Sequence, residues 1–185
     1  TDAALKHFEA AGLQVNDGKV SKDGQPLNLK IVTYIARAEL PLIAQLLRDS
    51  AAKVGITMDI QVAENIDEYL PRNDFDVATY SVLTISRGDG AYFLNGAFGK
   101  GGAQNHGRLA DPELLSMLDA YNTEIDAAAR TQKAREMGTL IEAQQFNSYL
   151  VVPNETAAYR DVVSGWITPG NEFEFQMITK NLDIA

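Results

Sequence analysis

The segment between Leu27 and Val82 alternates strand and helix patterns, and no other feature limits the possible folds as strongly. Alternating apolar and polar residues predict three strands, and apolar residues three and four apart predict the helices between them. The predicted strands cover 27–34, 56–62 and 75–82, and the helices cover 41–54 and 66–70. Chains with this order form α/β domains, in which a parallel or mixed sheet is flanked by helices. Ligands of such domains bind just beyond the carboxyl ends of the strands, which places the functional edge after Val82.

Pro41 and Gly55 mark the two ends of the longer helix. Proline is favoured at the first helical position, because the N–H that it lacks would have no partner there. Glycine accepts the left-handed conformation that commonly follows a helix. We therefore expect the helix to start at Pro41 and to end before Gly55.

Composition and charge exclude several classes of function. Of the 185 residues, 45% are hydrophobic, which is enough for one compact domain with its own core. The 25 acidic residues outnumber the 16 Lys and Arg residues, so the formal net charge is −9. A surface this acidic disfavours nucleic acid and anionic membranes as partners. The chain has no cysteine, which excludes disulfides, thiolate metal sites and cysteine nucleophiles.

The amino-terminal part of the chain predicts a helix followed by a hairpin. The helix pattern over 1–12 begins at the first residue, so we expect the chain to start inside a larger protein. Turn residues at 16–18 and 22–24 then predict a small hairpin that pairs 13–15 with 19–21. These turns lack the alternating acidic residues and the closing Glu of a calcium loop.

The carboxyl-terminal part predicts two helices and a loosely patterned tail. Asp111 and Pro112 have the residue types of a helix start, and the buried stripe of that helix is expected to reach Ile125. The next helix is predicted from Asp126 to Asn147, with Arg130 facing solvent. Strand patterns over 149–153 and 157–163 follow.

A glycine-rich span between Thr84 and Leu109 separates the third strand from these helices. Its glycines are Gly88, Gly90, Gly96, Gly99, Gly101, Gly102 and Gly107. A short helix over 91–98 is predicted to interrupt the span, with Asp89 as its cap. Long glycine-rich segments within a domain commonly carry function, so we expect this span to line a cleft.

The span contains the candidate ligand-binding residues. Arg87 offers a planar fork of donors that suits a carboxylate, although an exposed arginine without a ligand fits the pattern as well. Tyr92 and Phe93 are adjacent, so one is expected to pack inward and the other to line the opening, with Thr84 at the same edge. His106 is a solvated loop histidine or a metal ligand.

Catalytic motifs are missing from the sequence. Gly99-Lys100 lacks the Ser or Thr that completes a phosphate-binding loop, and no Gly-x-Ser-x-Gly nucleophile elbow occurs. The two histidines, His7 and His106, lie far apart and outside any zinc-protease motif. A hydrolase or transferase would need clustered acidic residues or a nucleophile paired with a base. A plain interaction domain would instead expose a large apolar patch.

The order of these segments resembles the carboxyl-terminal lobe of the solute-binding proteins that serve dipeptide, oligopeptide and nickel ABC importers. The resemblance is spread over nearly the whole chain. The matching elements are Asp23-Gly24-Gln25-Pro26-Leu27, Lys53-Val54-Gly55-Ile56, Tyr69-Leu70, Phe75-Asp76-Val77-Ala78 and Arg87 to Asn95.

The resemblance implies a lobe of the type II periplasmic-binding-protein fold and a non-enzymatic role in transport. Residues 1–152 would form the ligand-binding lobe, and 153–185 would form a tail that crosses back to a missing amino-terminal lobe. Such proteins deliver a small solute to an ABC permease from the periplasm or the cell exterior. Many carry a lipid anchor upstream of the region seen here.

The resemblance also suggests the cargo. The region from Phe75 to Leu94 is most similar to nickel or metal-chelate binders, in which a loop histidine sometimes contacts the metal. That similarity implies His106 as a metal contact, with Arg87, Tyr92, Phe93 and Thr84 as the other contacts. Nickel is then a transported ligand and not a resident cofactor. Dipeptides or oligopeptides are the alternative cargo.

Overall fold

The computed structural model describes residues 1–84, 88–154, 158–167 and 180–184. The chain divides into two compact units, Thr1–Phe146 and Asn147–Ala185. The predicted boundary of the ligand-binding lobe after Val152 concerns function and stays a prediction.

A parallel three-stranded sheet forms the centre of the first unit. Its strands are β4 (Asn28–Tyr34), β5 (Thr57–Ala63) and β6 (Val77–Ala78), in the order β5-β4-β6. Ile31 of β4 stands opposite Ile60 of β5 and Val77 of β6. The predicted third strand is shortened to two residues, although hydrogen bonds from the Asp76 and Thr79 amides to β4 extend its pairing. The predicted α/β fold class is confirmed, with the antiparallel strands in separate sheets.

Helix α2 (Glu39–Ala52) connects β4 to β5 and packs on the sheet. The helix begins two residues earlier than predicted, so Pro41 lies within its first turn and not at its first position. Proline is tolerated in this turn because the first four N–H groups of a helix have no partner within it. Gly55 has φ +81° in the turn that leads to β5, as expected.

Short elements flank the sheet. Helix α1 (Asp2–Ala10) precedes an antiparallel sheet of β1 (Gln14–Asn16), β2 (Lys19–Lys22) and β3 (Gln25–Pro26), which contains the predicted hairpin. Helix α3 (Ile66–Tyr69) continues into a 3₁₀ turn, Leu70–Arg72. Adjacent residues Ile31 and Val32 belong to two different core clusters, because successive side chains of a strand point to opposite faces.

Three further helices pack around a core of their own. They are α4 (Ala91–Phe98), α5 (Pro112–Thr123) and α6 (Ala127–Ala143). The Asp111 carboxylate accepts a hydrogen bond from the Leu114 amide at 2.8 Å, which confirms the predicted cap of α5. Ile125 is 96% exposed, so its predicted burial is wrong. The helix has already ended at Thr123, and its buried positions do not continue beyond that point.

The second unit contains little regular structure among its described residues. Strands β7 (Val163–Ser164) and β8 (Asp183–Ile184) pair antiparallel, and the rings of Tyr159 and Trp166 stack with centroids 5.0 Å apart. The predicted strand over 149–153 is wrong, because no described strand pairs with it and its side chains are exposed. The predicted strand over 157–163 is reduced to its last residue among the described positions.

Candidate functional site

Aromatic side chains gather at the carboxyl edge of the parallel sheet. Tyr34 is the last residue of β4, and Tyr80 follows β6 by two residues. Their ring centroids lie 6.1 Å apart, and the Ser81 amide donates to the Tyr34 hydroxyl at 3.4 Å. The carboxyl ends of neighbouring parallel strands meet at one edge, which is why residues 46 positions apart come together here.

The hydroxyl of Tyr80 is held by an acidic residue. It donates a hydrogen bond to the Asp67 carboxylate on α3 at 2.8 Å. Burial of the ring and this hydrogen bond both raise the pKa of Tyr80, so the phenol stays protonated well into the alkaline range. Burial likewise raises the pKa of Tyr34. Both rings therefore present neutral surfaces at physiological pH.

His106 joins this edge from the glycine-rich span. Its ring contacts that of Tyr80 edge to face, with centroids 6.3 Å apart, and the side chain is half-buried. The neighbouring Asn105 fixes the loop, because its amide donates to the carbonyls of Gly99 and Leu109 and its oxygen accepts from the Leu109 amide. We name the set Tyr34, Tyr80 and His106 the aromatic edge.

The two adjacent aromatic residues of α4 have different surroundings, one buried and one exposed. Phe93 is 8% exposed and packs edge to face on Phe98, with ring centroids 5.6 Å apart. Tyr92 is 62% exposed, and its proximity contributes to the raised pKa of Tyr80. Phe93 therefore packs inward, as expected for one of the two, and the lining of an opening by the exposed Tyr92 stays a prediction. Phe93 lies within the core and supports the surface on which Tyr92 stands.

Thr84 is exposed four residues beyond Tyr80. Arg87, the predicted carboxylate partner, lies outside the described residues. Among the described candidates, the structure brings His106 into contact with Tyr80 and Tyr92 into its electrostatic range. Tyr34 and Asp67 are site residues that were not predicted from the sequence, although the position of Tyr34 at a strand end was a usable signal.

The amino-terminal turn of α4 is fixed by an ion pair that the sequence did not reveal. Asp89 accepts a hydrogen bond at 2.7 Å from the amide of Ala91, the first residue of α4, as a capping residue does, although Gly90 holds the N-cap position. The same carboxylate pairs with the Arg130 guanidinium at 2.8 Å. The prediction that Arg130 faces solvent is wrong, since its side chain is only 21% exposed. Helical periodicity places a residue on a face but does not show that a distant loop covers that face.

A shallow cavity of about 570 Å³ lies at the carboxyl end of β5. Its lining comprises residues 61–65 together with Glu68, Tyr69 and Arg72. None of the predicted site residues lines this cavity.

The chemistry available at the aromatic edge is that of a binding surface. It offers the neutral rings of Tyr34 and Tyr80 and one imidazole, and the exposed phenol of Tyr92 stands beside it. The described residues contain no group of three or more His, Cys, Asp or Glu side chains able to hold a metal ion. One imidazole completes the coordination of a metal that arrives with its own ligands, whereas a bare ion needs several protein donors. No described helix has both the length and the apolar composition needed to cross a membrane.

Comparisons with known proteins match most of the chain, although no family model matches it. The chain is 33% identical over 156 residues to the nickel-binding protein NikA of Staphylococcus aureus, a match that covers 81% of this chain and 32% of NikA. Among solved structures, a nickel ABC transporter protein from Bacillus halodurans is 36% identical, with a TM-score of 0.72 over 78% of this chain and 30% of that one.

A structure of Staphylococcus aureus NikA in complex with Ni(L-His)₂ is 34% identical. Its TM-score is 0.63, and the match covers 67% of this chain and 27% of that one. The chain thus spans about a third of the length of the relatives that it matches.

Proposed function

Because this chain belongs to the solute-binding protein family of nickel and peptide ABC importers, we propose that it forms one wall of a ligand cleft. The aromatic edge would be the part of that wall that contacts the ligand. The observation that carries the proposal is the contact between His106 and Tyr80 at the carboxyl ends of the parallel strands. This edge is where ligands bind in open α/β sheets.

We propose a nickel chelate, such as a nickel–histidine complex, as the cargo. The relatives support this choice, because one of them is a nickel-binding protein and was solved in complex with Ni(L-His)₂. The composition of the edge supports it as well, because it offers a single described imidazole next to flat neutral rings. Such a surface suits a complex whose organic ligands supply most of the metal donors.

Within this proposal, Tyr92 and Thr84 contact the organic part of the chelate and His106 contacts the metal. Arg87 pairs with a ligand carboxylate, a role that rests on the sequence alone. Phe93 acts indirectly by holding Tyr92 outward. The role is one of binding without catalysis.

The remaining parts of the proposal concern the cell. The full-length protein captures its cargo outside the cytoplasmic membrane, in the periplasm or at the exterior, where a lipid anchor can hold it. It then delivers the cargo to a membrane permease. The net charge of −9 is unfavourable for nucleic acid as a partner.

Calorimetric titration of the full-length protein tests the cargo. The ligands are Ni²⁺ alone, Ni²⁺ with L-histidine, and a mixture of short peptides. We expect saturable heat with nickel–histidine and much weaker binding of Ni²⁺ alone. The variant His106→Ala should weaken nickel–histidine binding, whereas His7→Ala, at an exposed position on α1, should not.

Binding of peptides alone would replace the nickel proposal by the peptide alternative. Equal affinity for Ni²⁺ with and without histidine would contradict the proposal that the cargo is a nickel chelate. The absence of heat with all three ligands would refute the proposed binding function.

A further inference from the structure

Asp89 and Arg130 form the most heavily connected polar pair among the described residues of the helical part. The Arg130 guanidinium donates to both carboxylate oxygens of Asp89, at distances between 2.8 and 3.1 Å. Its remaining terminal nitrogen donates to the carbonyls of Tyr121 and Glu124, both at 2.9 Å. Two parallel N–H···O bonds to a carboxylate define orientation as well as distance.

Tyr121 completes the arrangement from α5. Its hydroxyl donates to Asp89 at 2.9 Å, and the Arg130 guanidinium lies 4.2 Å from the centroid of its ring. Tyr121 is 2% exposed and belongs to the core shared by α4, α5 and α6. The pair is therefore anchored to a packed core at one end.

The other end of the pair reaches the first turn of α4. The Asp89 oxygen that Tyr121 contacts also accepts from the Ala91 amide, and Tyr92 is the next residue. The Leu94 amide then closes the first helical turn on the Gly90 carbonyl at 2.9 Å. A shift of Asp89 is passed to Tyr92 through the hydrogen bond to the Ala91 amide and the one peptide bond that joins Ala91 to Tyr92.

We propose that Arg130, acting through Asp89, is a positioning residue that sets where Tyr92 stands beside the aromatic edge. This inference rests on the proposed function for its ligand but assigns a role to a residue distant from the ligand surface. Arg130 makes no contact with cargo. Its loss frees the turn Gly88–Gly90 and lets Tyr92 move relative to Tyr80.

The first test measures affinity of the full-length protein for nickel–histidine. We expect Arg130→Gln to raise the Kd about tenfold, by analogy with the loss of a side chain that orients a metal-ligating residue. Arg135→Gln is the matched control, because it removes the same charge from an exposed position of the same helix. The Kd of that control should stay within about twofold of wild type.

A double-mutant cycle separates positioning from general loss of structure. If Arg130 acts through Tyr92, then adding Arg130→Gln to Tyr92→Ala should change the Kd by less than about twofold. Val54→Ala provides a stability control, because Val54 is buried in the core of the sheet and α2. It should lower the unfolding midpoint without changing the Kd. If the effects of Arg130→Gln and Tyr92→Ala on the Kd were additive, the inference would be overturned.

Hydrogen exchange gives a readout that needs no ligand. In Arg130→Gln, the Leu94 amide should exchange at least about fivefold faster, while amides of β4 keep their wild-type rates. Unchanged exchange at Leu94 would overturn the inference. A wild-type protein that binds no nickel–histidine refutes the proposed cargo and, with it, the proposed effect of Arg130 on binding of that cargo. Wild-type binding that Arg130→Gln leaves unchanged refutes only the inference.

Discussion

Two side chains 41 residues apart hold the glycine-rich span against the helices. Asp89 receives hydrogen bonds from the Ala91 amide, from Arg130 and from the Tyr121 hydroxyl. The hydrogen bond from the Ala91 amide is the main reason that the pKa of Asp89 falls below its usual value, and Arg130 and Tyr121 lower it further. The ionised carboxylate is thus the form that the folded state prefers.

This preference predicts a pH dependence of stability. Since the pKa of Asp89 is lower in the folded state, the ionised group stabilises the fold above the ordinary carboxyl pKa of about 4, and that contribution disappears as the pH falls through the folded value. Asp89→Asn should therefore lower the urea unfolding midpoint at pH 7 and have a smaller effect at pH 3. Asp119→Asn, at an exposed position of α5, is the control. If Asp89→Asn lowered the unfolding midpoint equally at both pH values, the ionised carboxylate would not be the source of the stabilisation.

At the scale of elements, the loop after α4 depends on a close approach of backbone to backbone. The Gln104 amide donates to the Gly96 carbonyl at 2.9 Å, and the Gly102 amide donates to the Gly99 carbonyl at 3.0 Å. These bonds fold the chain back over the end of α4. A Cβ atom at Gly102 would overlap the backbone oxygens of Gly96 and Asn95. Gly102 is therefore required for reasons of space.

We expect Gly102→Ala to destabilise the fold by about 1–3 kcal/mol, as overpacking of a closely packed site usually does. Because the same loop carries His106, the substitution should also weaken binding of nickel–histidine. Gly107→Ala is the control within the loop, since a Cβ there meets no atom within 4 Å. Thermal unfolding followed by circular dichroism measures both variants. Equal melting temperatures of Gly102→Ala and Gly107→Ala would show that the loop accommodates the added Cβ atom without loss of stability.

At the scale of the whole molecule, the first unit has the features of an independently folding domain. The buried residues of its core clusters lie between Val20 and Ile141. Phe146 packs against the cluster formed by α4, α5 and α6. Beyond this point the side chains at 149–152 are exposed, by 51% to 93%. The apolar residues that stabilise the first unit therefore end near Phe146.

A fragment of residues 1–146 should unfold cooperatively, at a melting temperature within a few degrees of the 185-residue chain. The described core clusters lie within Thr1–Phe146, so the fragment keeps these buried apolar side chains. A fragment of residues 1–152, which ends at the boundary expected from the sequence, should behave in the same way. Calorimetry of the three proteins provides the measurement. A large loss of cooperativity in the shorter fragment alone would show that residues 147–152 belong to the folding unit.

The order and type of most elements followed from local sequence. Hydrophobic periodicity located β4, α2 and β5, and the residue types at Asp89 and Asp111 located two helix starts, because these signals depend on neighbours within a few positions. The burial of one of the two residues Tyr92 and Phe93 also followed from helical spacing. In each case the interactions that decide the local structure join residues only a few positions apart in the sequence.

Contacts between distant residues were decided only by the tertiary structure. The pairing of Arg130 with Asp89 and the meeting of Tyr34, Tyr80 and His106 join segments that no sequence period connects. The residues at 149–153 have a strand pattern but no described partner, and a strand needs hydrogen bonds from another strand. Sequence therefore determined which local elements form, whereas packing between them determined which side chains share the site.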